Sequence, residues 1–241
     1  MRTAWRRSVS DRYPFLWLFY IFNIGMFGIR LMMALGLVAG LLLTSCRQGV
    51  DPAAGRIYNG DGTFTTEVDS SRHPLGMVFA CGAGVDSAYC YIVSLHEERL
   101  PFGGYDRYLE GDTSLTSLSG RTATCIWRDS CQDSPLVKAL ASYGKDWFVP
   151  SAGEWALIGD SLSLLSERLS AIEGATILSE GQYWCSTSHG EASYGHCAMA
   201  YDLSSGTVGQ YAKRDTALFR PMIRVNMKAS LWERLTGKQN V

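Results

Sequence analysis

The chain has 241 residues, of which 46% are hydrophobic, 19% charged and 12% aromatic, with a formal charge of −1. That balance excludes a disordered, collagen-like or coiled-coil chain. Beyond residue 46 the remaining 195 residues carry 17 basic against 22 acidic side chains, so nothing in the charge favours binding to a nucleic-acid backbone.

Residues 14–46 are almost free of charge, Arg30 being the sole exception. The run 31–46, LMMALGLVAGLLLTSC, follows that Arg and ends in small residues, the pattern of a secretory signal. Its last four residues, Leu43-Thr44-Ser45-Cys46, resemble the bacterial lipobox. The resemblance implies that Cys46 takes a diacylglyceryl thioether and becomes the new amino terminus, so that the partner at this end is a membrane, reached through a lipid anchor. The competing reading is a single transmembrane anchor, since 14–29 adds a second apolar run. A start at Met26 or Met32 would leave residues 1–25 outside the protein. Arg47 and Gln48 follow Cys46, with no Asp to favour inner-membrane retention, which points to an outer-membrane lipoprotein of the cell envelope on its surface or periplasmic face.

An exported chain lives where disulfides persist. Cys81, Cys90, Cys125, Cys131, Cys185 and Cys197 are six candidates, which allow 15 connectivities. Local pairing, 81–90, 125–131 and 185–197, is the simplest of these. The sequence contains no Cys-x-x-Cys and its His are scattered, so no metal site or other cofactor is expected.

In chain order, residues 47–74 read as a tether with a first strand, the polar, Gly-rich part being 47–62. Leu75–Ala80 and Ala88–Leu95 are short apolar runs that predict paired strands, joined through the hairpin residues 82–86. Residues 97–120 lack periodicity and read as a long loop. Helix signals start at Pro135, with Leu136, Val137, Leu140 and Ala141 on one stripe and Gly144 as a stop. Trp147-Phe148-Val149 predicts a buried strand ended by Pro150. Ser151-Ala152-Gly153-Glu154 is a capping box that opens a helix at Ala152. A further helix is predicted over about 162–173, ended by Gly174. The strands then follow at 183–187, 196–203, 207–212 and 220–225, leaving 227–241 as a tail. Strands, helices and strands again argue for an α+β fold with mixed or antiparallel sheets and two or three helices.

Three segments carry a resemblance: WFVPSAGEW at 147–155, YWCSTS at 183–188, and Lys213 followed by Phe219-Arg220-Pro221-Met222. Together they resemble exported bacterial domains of the C-type-lectin-like and formylglycine-generating-enzyme-like fold group. LGMVFACGAGVDSAYCYIVSL, upstream, is similar to a strand pair that precedes this module in Bacteroides-type lipoproteins. The resemblance implies a C-type-lectin-like domain over 75–226, preceded by that small strand pair. It also implies that a ligand surface lies in 189–215, as in retroelement-diversified members. The exposed candidates there are His189, Glu191, Ser193, Tyr194, His196, Tyr211, Lys213 and Arg214, which suit a protein or glycan ligand in adhesion. Ser151 and Glu154 are expected to cap, Trp184 to lie in the core, and Arg220 to make a structural ion pair or cap carbonyls.

No catalytic residues are expected. The sequence has no Gly-x-Ser-x-Gly elbow, and neither the Glu-Pro-Asn nor the Trp-Asn-Asp motif of calcium-dependent sugar binders. The Arg-Gly-Gly-Ser-Trp core of the copper oxidases in this fold group is also absent. Such an oxidase, built on free Cys185 and Cys197, is one alternative to a binding protein; a pilus or surface-complex subunit is the other.

Overall fold

A computed structural model describes residues 51, 53–82 and 89–226, with residue 160 described by its backbone alone. Cys46 and the rest of the expected signal region, most of the 82–86 residues expected to form the hairpin turn, and the expected tail 227–241 lie outside the described residues. The fold is α+β, with ten strands in two five-stranded sheets and four α-helices among the described residues.

The first sheet has the order β10-β4-β3-β1-β2. Its strands are β1 (Ile57–Asn59), β2 (Phe64–Thr65), β3 (Pro74–Cys81), β4 (Tyr89–Ser94) and β10 (Met222–Asn226). The β3–β4 pair is therefore the middle of a sheet closed by the last strand of the domain, and not a separate preface to it. The polar tether likewise ends earlier than its composition suggests. Ala53 and Ile57 are core residues, and Gly55, at φ 80°, brings the backbone against Leu164 and Arg168.

The second sheet has the order β5-β9-β6-β7-β8. It contains β5 (Glu98–Pro101), β6 (Gln182–Trp184), β7 (Cys197–Asp202), β8 (Thr207–Ala212) and β9 (Thr216–Phe219). All its pairs are antiparallel except β6 with β9. Part of the expected 97–120 loop is thus strand. Trp147-Phe148-Val149 is buried as expected, but it pairs only through one bridge, Phe148 to Met222.

The helices are α1 (Gly120–Ser130), α2 (Pro135–Tyr143), α3 (Ala152–Ala156) and α4 (Leu162–Ser170). The capping box forms: Ser151 Oγ accepts from the Glu154 N–H while a Glu154 carboxylate oxygen accepts from the Ser151 N–H at 2.7 Å. Side-chain alternation along the strands builds two cores. Val78, Ile92 and Trp184 pack with Trp127 of α1 and Leu136 and Leu140 of α2. Their neighbours Met77, Phe79, Tyr91, Val93 and Tyr183 pack with Trp155 of α3 and Leu165 and Leu169 of α4. Strands β3 and β4 are buried on both faces, which explains why they read as continuous apolar runs instead of alternating ones.

Only one of the three expected disulfides forms among the described residues, Cys81–Cys90, whose partners face each other across β3 and β4. Cys125 and Cys131 are free. Cys125 faces solvent on α1, while Cys131 is buried just beyond the end of that helix. Cys185 and Cys197 are free as well. The Cys185 N–H donates to the Met199 carbonyl, which places Cys197 on the diagonal, about 7–8 Å away and past what a disulfide closes.

Candidate functional site

The expected ligand segment wraps a small cavity at the end of β6 and β7. Cys185, Thr187, Ser188, His189, Tyr194, Cys197, Ala198, Met199 and Lys213 contribute from this segment and its flanks. Phe102, Tyr108, Leu109 and Trp127 close it from the other side. The cavity holds about 20 Å³, room for one water-sized group.

Three expected residues gather at the rim. The His189 ring lies 3.9 Å from that of Tyr194, and the Tyr194 ring lies 6.3 Å from His196 at an interplanar angle of 24°. The turn Ala192–Tyr194 and the buried Gly195, pressed against the Asp106 backbone, set this arrangement. His189 Nε2 meets the Gln210 side-chain amide across β8, while its Nδ1 is buried without a partner. Glu191 and Ser193 are exposed and bond each other at 3.4 Å. Arg214 is exposed beyond β8, and Tyr211 is half-buried against the first core.

Lys213 departs from expectation. It is 2% exposed, not part of an open surface. Its Nζ donates to the carbonyls of Gly104 (3.4 Å) and Arg107 and sits 5.6 Å from the centroid of the Phe102 ring. Loss of hydration pushes its pKa down from the usual lysine value.

The loop 102–119, unassigned from sequence, roofs the cavity. The Tyr108 hydroxyl pairs with Ser188 Oγ at 3.2 Å, Ser188 Oγ also reaches the Leu109 carbonyl, and the Ser188 N–H donates to Asp112. The Gly103-Gly104 step, both at positive φ, makes the close approach to Pro135 and Cys131 possible, where a Cβ would clash. That Gly pair followed by Tyr105 and Tyr108 was the available signal in an otherwise aperiodic stretch. The two thiols lining the cavity differ in exposure. Cys185 is fully buried and burial pushes its thiol well above the normal range, whereas Cys197 is half-buried.

Among the described residues no cluster of His, Cys, Asp or Glu is arranged to hold a metal ion, and no helix is long and apolar enough to cross a membrane. No family model, curated protein or solved structure matches the chain.

Proposed function

We propose that the protein is a cell-envelope lipoprotein of C-type-lectin-like fold that binds a ligand through the 189–215 surface, in adhesion. The observation that carries this reading is the grouping of the His189 and Tyr194 rings at a small cavity of mixed polar and apolar lining, with His196 beside Tyr194. Flat rings fixed by a turn on a two-sheet scaffold offer large contact area with few torsions to freeze, as binding surfaces do. Replacing Tyr194 and His196 together with Ala should abolish adhesion of cells that display the protein. A folded double variant that adheres like the parent would sink the assignment. The anchor has its own test: Cys46→Ala should remove palmitate labelling from the whole chain; labelling that persists would sink the lipoprotein reading, and a parent chain that takes no label would favour a transmembrane anchor.

A second reading, the copper oxidase, gains one observation, because Cys185 and Cys197 are unpaired and both line the cavity. Against it, the buried Cys185 thiol resists ionisation and the two sulfurs stand on a sheet diagonal. Rapid alkylation of both in the native protein would favour the oxidase; protection of Cys185 favours the binder.

A further inference from the structure

Resting on that binding reading, we infer that the cavity takes one carboxylate oxygen of an acidic sugar on Lys213, while the sugar ring stacks on the rim. Lys213 is a buried cation with no carboxylate in ion-pairing distance among the described residues. Two carbonyl dipoles and the face of Phe102 offset part of its desolvation, but they leave its whole charge unneutralised. Asp106 is the one carboxylate whose charge raises the lysine's proton affinity, and it is exposed and outside pairing distance. Nor does Cys131 supply an anion, since burial raises its thiol pKa.

The rest of the lining also offers donors. Trp127, 3% exposed, lines the same cavity, and its indole N–H has no partner. An indole nitrogen only donates, so its complement must be an acceptor. Tyr108 and Ser188 hold their hydroxyls against each other at the roof. The Tyr108 and Ser188 protons are spent on Ser188 and the Leu109 carbonyl. The free donors are therefore an ammonium and an indole N–H, and with no fixed anion between them they match a carboxylate oxygen.

The size of the cavity fixes the form of the ligand. About 20 Å³ admits the tip of a single small group, so the rest of the molecule stays at the mouth. There the His189, Tyr194 and His196 rings provide flat faces for the C–H side of a pyranose, while Gln210, Glu191 and Ser193 stand exposed for its hydroxyls. That rim favours a sugar acid over an acidic peptide.

The test uses the mature chain, tri-galacturonate, the same trisaccharide with its carboxyls reduced, and a penta-glutamate peptide, each titrated by calorimetry. Tri-galacturonate should bind, and its reduced form should bind at least about tenfold more weakly, as expected for losing a charge-assisted hydrogen bond. Lys213→Met should weaken the acidic sugar by about tenfold or more. Because that variant also frees the 104–107 carbonyls and could misfold, Trp127→Phe serves as the second. It removes the N–H while keeping a ring, and should weaken tri-galacturonate but not the reduced sugar. Equal binding of acidic and reduced sugars, or a Trp127→Phe variant indistinguishable from the parent, would overturn the inference. So would binding of penta-glutamate in place of the sugar. If no probe binds yet the Tyr194/His196 double variant loses adhesion, the carboxylate inference fails and the surface reading stands. If that double variant adheres like the parent, the surface reading itself has failed.

Discussion

Glu154 shows how a residue placed for helix capping acquires a second property. Its side chain is fully buried, one oxygen caps Ser151 and the other has no partner. Burial outweighs those bonds and the attraction of Arg224, pushing the carboxyl up to about 7. The folded value exceeds the unfolded one, so the folded state holds the proton more tightly. The stabilisation is complete below about pH 4.5 and is lost as pH rises to about 7, on the order of 3 kcal/mol over that window. Urea unfolding from pH 4.5 to 8 should show this decline in the parent and a much flatter profile in Glu154→Gln. Parallel profiles would remove Glu154 as the source. Thiols give a second check at this scale: the exposed Cys125 should alkylate quickly in the native protein, and the buried Cys185 only after unfolding. If Cys185 reacts as fast as Cys125, the packing around it is wrong.

At the scale of elements, the Cys81–Cys90 bridge ties the far ends of β3 and β4 across nine residues. By loop entropy it contributes about 2–3 kcal/mol, so the double Cys81→Ala, Cys90→Ala variant should unfold at correspondingly lower denaturant. An unchanged midpoint would show that the hairpin is held by pairing alone. This element was legible because two short apolar runs faced each other around turn chemistry. The capping box at 151–154 was legible for the same kind of reason, each of its bonds being local. Helix α1 was not. Its sequence, GRTATCIWRDS, buries only Gly120, Ala123, Thr124 and Trp127, while Ile126 points outward and no side chain caps Ser119, so the stripe is too thin to read. Strands β5 and β9 are short and begin with polar residues, and they exist because each supplies the other's ladder. The rim residues of the site were legible as polar and aromatic side chains between strands. The burial of Lys213 was not, because it depends on a loop that arrives from more than a hundred residues earlier.

Across the whole molecule, Arg220 does both things expected of it as alternatives, an ion pair and the capping of carbonyls. It lies 0% exposed, pairs with Glu97 at 3.1 Å, and donates to the carbonyls of Ser94, Leu95, Thr176 and Ile177. Tyr183 adds its hydroxyl to the same Glu97 at 2.7 Å. Arg220→Met should therefore cost about 3–5 kcal/mol, because it leaves a buried carboxylate and four carbonyls without their donor. Calorimetric melting would measure it, and a loss below about 1 kcal/mol would mean that water replaces the guanidinium.

The position of that guanidinium has a mechanical meaning. The chain passes straight from one sheet to the other twice, from β4 to β5 through 95–97 and from β9 to β10 through 220–221. Arg220 sits in one passage and is bonded to the other. Sheet one carries the strands nearest the amino end, and sheet two carries β7 and β8 beside the rings. Tension applied between residue 51 and the rim would thus run through two oppositely directed passages of chain riveted side by side, so neither would peel before the other. A molecule loaded in that way resists by shearing all its fastenings together.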